Sequence, residues 1–262
     1  MPLVADECIC LHKVEYSESS QILTLFGRDH GIIHVVAKGA HRRTKAGASR
    51  FDGGIDLLDR GSAVFTDDTS RELTTLTEWK LIDGHLELRR SLRGLHLAMY
   101  AVELVSLLIE SHDPHMDVFA RLGRTLPELA GNRAEEAMLA WELDLLKAAG
   151  YLPEFFVCVN CHRGPDGKPI YFSPSRGGVI CRNCEGVVRD RLNFDERLMR
   201  LVQSILRLPR VGGVAQRLPK LTRAQTDPLN RLLAEHIGQT LGKRLRMWEY
   251  VGAELDRPGR AG

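Results

Sequence analysis

The chain has 262 residues, 44% hydrophobic and 27% charged, the composition of an ordinary globular protein with room for two domains and a sizeable core. Its most apolar segment, Leu95 to Ile109, carries Glu103 and is too short to span a bilayer, and the N-terminus MPLVADECIC lacks the basic and apolar regions of a signal peptide. The formal net charge of +2 hides a division: residues 1–83 hold ten Lys/Arg against thirteen Asp/Glu, whereas residues 200–250 hold ten against three, which points to an acidic partner for the C-terminal region.

From residue 5 to about 83 the chain reads as strands divided by turn residues. Ile9 and Leu11 come first, then Ile22-Leu23 with Leu25-Phe26 before the turn Gly27–Gly31. Ile32-Ile33-His34-Val35-Val36 is the most β-branched run in the chain. Ile55–Leu58, Ala63–Phe65 and Leu73–Thr77 follow a polar loop. About five strands in some eighty residues predict a small barrel, and the length suits a five-stranded OB-type barrel, although strand counting alone does not separate it from an SH3-like one. Cys8 and Cys10 alternate on the first strand, so they share a face and cannot readily bridge each other. They read as reduced, partly buried thiols of a cytoplasmic protein.

Helical periodicity begins near Ser91. Leu95–Ile109 is apolar almost all round, as in a helix buried within a bundle. Asp113-Pro114 is expected to start a second helix. Asn132 with Glu135 forms a capping-box pattern for a third, whose face is Met138, Trp141, Leu145 and Ala148 and which Gly150 ends. Asn193 is expected to cap a helix striped by Leu198, Leu201, Val202, Ile205 and Leu208. Pro228 opens a last one through roughly Trp248. The tail from Asp256 reads as disordered. The expected domains are thus 1–83, a barrel, and 84–255, helical, with a ribbon at about 155–190 and a tail at 256–262.

That ribbon holds the most specific motif. Cys158-Val159-Asn160-Cys161 and Cys181-Arg182-Asn183-Cys184 are two Cys-x-x-Cys pairs separated by nineteen residues. Each pair turns two thiolates toward a common point, and the turn formers between them suit two short strands. Cys158, Cys161, Cys181 and Cys184 fill all four positions of a tetrahedral zinc ion and leave none for water, so the site reads as structural. So small a segment buries no core of its own, and the metal would supply its folding free energy. Two disulfides, or four unliganded thiols, are the competing readings.

Three basic groups stand out. Lys38, Arg42, Arg43, Lys45 and Arg50 are five cations within thirteen residues without an acid, directly after an apolar strand, a placement suited to neutralising phosphates without reading bases. The competing reading is a solvated loop. Arg89, Arg90 and Arg93 lie where strands give way to helices, where a structural use is the simpler one. The third group is Arg200, Arg207, Arg210, Arg217, Lys220, Arg223, Arg231, Lys243, Arg244 and Arg246. With Leu245 and Trp248 beside its last members, it suits an acidic peptide ending in apolar residues. No P-loop, H-E-x-x-H or G-x-S-x-G motif is present, and the histidines are scattered, so an enzyme is not expected.

Several stretches, taken in order, resemble the bacterial RecO recombination-mediator family. They are Val36-Ala37-Lys38-Gly39-Ala40, Arg71-Glu72-Leu73 with Thr75-Leu76-Thr77, and Leu92-Arg93-Gly94-Leu95. Gly150-Tyr151-Leu152-Pro153 before the first cysteine pair, and Tyr171-Phe172-Ser173 with Gly177–Ile180 before the second, are similar to its zinc-containing members. The resemblance covers about residues 5–250. It implies an α+β architecture, with an N-terminal five-stranded OB barrel followed by an α-helical domain that carries a four-cysteine zinc ribbon. It also implies binding to single- and double-stranded DNA, annealing of complementary strands, and help for RecA on DNA coated by single-strand-binding protein, at the bacterial nucleoid. RecR and the tail of single-strand-binding protein are the implied partners. Lys38, Arg42, Arg43, Lys45, Arg50 and Arg93 become the DNA candidates, and Lys243, Arg244 and Arg246 the place to seek the acidic tail. Phe51-Asp52-Gly53-Gly54 departs from the family's usual proline and aromatic, which bears on where the fourth strand starts. The rival readings are a zinc-ribbon transcription factor and a zinc-dependent nuclease.

Overall fold

The computed structural model describes residues 2–253, apart from 42–49, 52, 68–70, 166–168, 209, 212–213 and 216–217. The expected tail from residue 256 therefore lies outside the described residues. Contacts divide the chain into two compact units, Met1–Asn132 and Arg133–Gly262. No helix among the described residues is long and apolar enough to cross a membrane.

The first unit is built on a closed barrel of β1 (Leu3–Ser17), β2 (Ser20–Gly27), β3 (Gly31–Ala37), β4 (Arg60–Thr66) and β5 (Thr74–Asp83), ordered β1-β2-β3-β5-β4. At 15 residues β1 is long enough to pair twice: Leu3–Ile9 with β4, and Cys8–Ser17 with β2. A parallel pairing of β3 with β5, Val35 opposite Thr74, completes the ring, and this order is that of an OB barrel. Alternation sends Cys8, Cys10, Leu23, Leu25, Val35, Ala63, Phe65 and Leu76 inward, and a register shift in β5 between Leu76 and Glu78 turns Trp79 inward as well. Trp79, opposite Ala63 in register, lies across its diagonal neighbour Gly61, where a Cβ would come 2.4 Å from the indole ring.

Ile55–Leu58 is not a strand. Leu58 has φ 70°, outside extended space, and the Gln21 amide takes both the N–H and the C=O of Ile55. The fourth strand starts at Arg60 instead. Beyond β5, α1 (Leu92–Leu108) and α2 (Met116–Glu128) pack within the same unit. The Ser91 hydroxyl caps α1 by accepting from Gly94 N–H at 3.0 Å. Gly94 also passes so close to Leu129 that a Cβ would lie 2.4 Å from its carbonyl oxygen, which explains the glycine of the Leu92–Leu95 stretch. Phe119 of α2 meets Phe26 edge-on at 5.7 Å. α2 begins at Met116, two residues beyond Pro114, after His115 has bonded Asp113.

The second unit contains α3 (Ala134–Ala148), a three-stranded sheet β7-β6-β8 (Ile170–Ser173 for β6, Gly178–Ile180 for β7, Leu192–Phe194 for β8), α4 (Glu196–Arg207), the short pair β9 (Arg210–Val211) and β10 (Val214–Ala215), α5 (Arg223–Leu241) and α6 (Trp248–Ala253). Its helix starts differ from those expected. The Asn132–Glu135 box does not form, and α3 follows Arg133 without a side-chain cap. Asn193 is spent on β8, opposite Tyr171, so Asp195 caps α4. Thr222 and Gln225 make a full capping box whose N-cap lies six residues ahead of Pro228, and α5 ends at Gly242 in the left-handed region, φ 59°. The stretch from Lys243 to Met247 is therefore a connection, not the end of an amphipathic helix.

Candidate metal centre and nucleic-acid surface

The two cysteine pairs meet at β7 of the small sheet. The first is a tight turn in which Cys158 N–H donates to Arg163 O and His162 N–H to Cys158 O, both at 2.8 Å, with His162 at φ 60°. The second follows β7, where Cys184 N–H donates to Cys181 O at 3.0 Å. Val159 N–H donates to Val179 O at 3.0 Å and holds the first turn against β7. The four sulfurs consequently lie within 4.8 Å of one another. Cys161 and Cys181 are 3.7 Å apart. Tetrahedral zinc with Zn–S near 2.3 Å separates its sulfurs by about 3.8 Å, whereas a disulfide needs about 2.05 Å. The cluster can hold a metal ion, and the disulfide reading fails.

The surroundings favour thiolate at Cys158. Burial raises the Cys158 thiol, but N–H groups of Cys181, Cys161 and Asn160 outweigh it and bring Cys158 down to about 6. Burial and the neighbouring sulfurs push Cys181 up to about 12, as expected where several thiols compete for one negative charge and no cation offsets it. Asn160 Nδ2 donates to Cys184 Sγ at 3.3 Å, and Arg176 Nη1 to Asn160 Oδ1 at 3.0 Å, so the ligands carry an outer layer of donors. Cys8 and Cys10, by contrast, line the barrel core, where burial pushes Cys10 up to about 12 and Cys8 well above its ordinary value.

On the barrel, the structure fixes both ends of the basic loop. Ala37 and Ala40 are buried on either side of exposed Lys38. At the other end Phe51 is buried beside exposed Arg50, whose carbonyl accepts from Trp79 N–H at 2.8 Å. Arg42, Arg43 and Lys45 lie outside the described residues. The loop's return is clamped by Gln21, whose amide bonds Ile55 O and Ile55 N–H at 3.1 Å each and Glu15 at 2.9 Å. His41 bridges Glu15 (3.1 Å) and Gly53 O (3.3 Å), and these two acceptors raise its pKa. Lys38 and Arg50 thus bracket one loop. Arg93 stands apart from them in the first turn of α1, half-buried. Arg89 bonds Asp56 at 2.8 Å, the structural use expected for it.

The sequence reading passed over one surface. Alternation places His12, Val14 and Tyr16 of β1 outward, and register sets His12 beside Thr24 and then His34, and Val14 beside Ile22 and then Val36. Tyr16 is 69% exposed. Thr24 Oγ1 bonds His34 Nδ1 at 3.1 Å, and burial, with His112 nearby, lowers the His34 pKa, so the ring is neutral at pH 7. This sheet face carries no acid at those positions. Only β2–β3 alternation pointed to it, and register was needed to assemble it.

In the second unit, Lys243, Arg244, Leu245 and Trp248 line a cleft of about 360 Å³ with Ala234 and Gly238 of α5. Glu249 shares the rim and pairs with Arg244 at 2.5 Å. Arg246 is exposed outside that lining.

Comparison with known proteins gives a consistent picture. The family model described as recombination protein O N terminal matches residues 1–85, and that described as recombination protein O C terminal matches residues 89–249. The DNA repair protein RecO of Anaeromyxobacter sp. (strain Fw109-5) is 30% identical over 251 residues, 94% of this chain and 96% of that protein. That of Pelotomaculum thermopropionicum is 28% identical over 263 residues, and that of Myxococcus xanthus 30% over 250, the latter covering 95% of this chain and 98% of the relative.

Proposed function

The chain belongs to the recombination protein O family of DNA repair proteins, and from that premise we propose that it acts as a non-enzymatic mediator. In this reading it binds single- and double-stranded DNA, anneals complementary strands and assists RecA on DNA coated by single-strand-binding protein. The supporting observation is the anchored loop on a closed OB barrel. Residues 38–50 hold five cations in sequence, and their two ends, exposed Lys38 and Arg50, are each anchored to the barrel by a buried neighbour. Cations neutralise phosphates of two strands, lower their mutual repulsion and let bases pair, without sequence preference.

The cysteine cluster is read as a structural zinc site. Its all-thiolate donor set and sulfur spacing suit zinc, and the ion would supply the folding free energy of a ribbon that has little core. The cleft at Lys243, Arg244, Leu245 and Trp248 joins cations to an apolar floor, which suits the acidic, hydrophobic tail of single-strand-binding protein. RecR is the further partner in this reading.

The test is annealing of two complementary oligonucleotides, each coated with single-strand-binding protein, across a salt series. Acceleration that fades with salt is expected. Replacing Arg42 and Arg43 together by Ala should lower the salt dependence of binding by about 1.4 in log–log slope for single strands. No binding by the wild-type protein at any salt would overturn the proposal.

A further inference from the structure

The outer face of α4 is the most one-sided charged surface that the barrel reading leaves unused. From Arg197 to Thr222 the sequence has six Lys/Arg and no Asp or Glu. Within α4, Met199, Val202 and Ile205 are buried, while Arg197, Arg200, Ser204 and Arg207 are exposed. At about 100° per residue these four fall within an arc of roughly 80°, opposite the buried stripe. Any polar residues would satisfy the outer face of an amphipathic helix. Here three of the four are arginines.

The stripe is firmly mounted. Gln203 Nε2 donates to Phe155 O at 2.6 Å, and Phe155 packs against Phe172 and Phe194. Arg207 lies with its guanidinium carbon 4.9 Å from the centroid of the Phe156 ring, itself 36% exposed. At the N-terminal end Glu196 pairs with Arg200 and Asp195 caps the helix, and at the other end Glu154 is engaged by Phe156 N–H. Among the described residues none pairs with Arg197 or Arg207.

We propose that this face, Arg197, Arg200 and Arg207 with Phe156, is a second nucleic-acid contact, one that holds a strand by its phosphates. The inference rests on the mediator reading and deepens it, since annealing brings two strands to one molecule. Arg197 to Arg207 spans about 15 Å along the helix, the rise of about four nucleotides of a stacked strand. An arginine-backed aromatic at the end of the row offers a base a sequence-tolerant partner. An acidic peptide is the poorer fit, because the cleft beside the row, about 550 Å³ and lined by Ile170 and Phe194, also carries Asp195 and Glu196, which would repel it.

The test compares the full-length protein with its R197A/R200A/R207A and R197K/R200K/R207K variants by anisotropy of a labelled single-stranded oligonucleotide across a salt series. Bound metal and circular dichroism verify that each variant is folded. The alanine variant should lose about two from the log–log salt slope and bind about tenfold more weakly at low salt, and the lysine variant should keep its slope. An unchanged slope in the alanine variant, with the wild type binding, overturns this inference and leaves the barrel reading intact. An unchanged slope with weaker binding of an acidic peptide assigns the face to protein and also overturns it. Failure of the wild type to bind overturns both.

Discussion

Gln21→Ala tests whether the basic loop is held by the barrel or merely tethered to it. The Gln21 side chain is buried, and it is the hydrogen-bond partner of both the N–H and the C=O of Ile55. Alanine removes both bonds and strands two backbone groups in a region where Ile55 itself is 1% exposed. A buried polar group left unpaired costs about 1–3 kcal/mol, so the pair gives about 2–6 kcal/mol. Water can reach the barrel end once the glutamine is shortened, which favours the lower half, about 2–4 kcal/mol. Gln21→Glu keeps an acceptor for Ile55 N–H but turns a buried carboxylate oxygen toward Ile55 O and the Glu15 carboxylate, and should cost at least as much as alanine at neutral pH. Urea unfolding gives the stability change, and hydrogen exchange of a peptide covering residues 50–60 reports the clamp directly. In the alanine variant that peptide should exchange faster than β1 or β2 does. Unaltered exchange at 50–60, with a stability change under about 0.5 kcal/mol, would refute the clamp as the device that places the loop.

Gly61→Ala drives a methyl group into the Trp79 ring, 2.4 Å away, and should destabilise the barrel by about 3 kcal/mol in urea unfolding; a loss below about 1 kcal/mol would mean that the indole has room to turn. Chelation, or Cys158→Ser, should raise hydrogen exchange across residues 155–190 and leave β1–β5 protected, and a ribbon as slow to exchange without metal as with it would contradict a folding role for the ion. The His41 pKa is raised by Glu15 and the Gly53 carbonyl, so its contribution is complete below about pH 6.5 and is lost as pH rises through the raised value. Glu15, held below the usual carboxylate value by Gln21 and His41, contributes above its ordinary range and loses that as pH falls. Exchange at residues 50–55 should therefore quicken on the alkaline side in the wild type, and His41→Ala should flatten that dependence; the same pH profile in both would remove His41 from the clamp.

The metal cluster was legible because two residues between cysteines already fix a turn, whatever the rest of the chain does. The barrel was legible in part. Alternation in β2 and β3 is strong, yet nothing local says that β1 pairs twice or that β3 and β5 run parallel, since those are long-range pairings. Ile55–Leu58 misled because an apolar run that plugs a barrel end looks like a short strand, and only the distant Gln21 reveals the difference. Helix starts went wrong by competition. Asn193 was a good cap already used in a sheet, and Pro228 was a good first-turn residue preceded by a better box at Thr222. The cleft near Trp248 exists only because α5 stops at Gly242 and the chain turns back, so its basic residues looked from the sequence like the end of a helix.

The ribbon and α5 belong to one mechanical system, which gives the metal site a reach beyond its own ligands. His236 of α5 lies within hydrogen-bond distance of Pro174 O (3.1 Å) and Tyr151 O (2.9 Å), carbonyls on either side of the first cysteine pair. Its ring also meets Phe172 of β6 edge-on. Pro174, directly after β6, forms part of the wall of the cleft that contains Leu245 and Trp248. β6 pairs with β7, and β7 leads directly into Cys181, so the position of Pro174 depends on a strand pair closed by the cysteine cluster. A cysteine able to hold a metal need not touch the cleft to shape it. The four sulfurs hold β7, β7 holds β6, and β6 places the wall against which α5 is bonded.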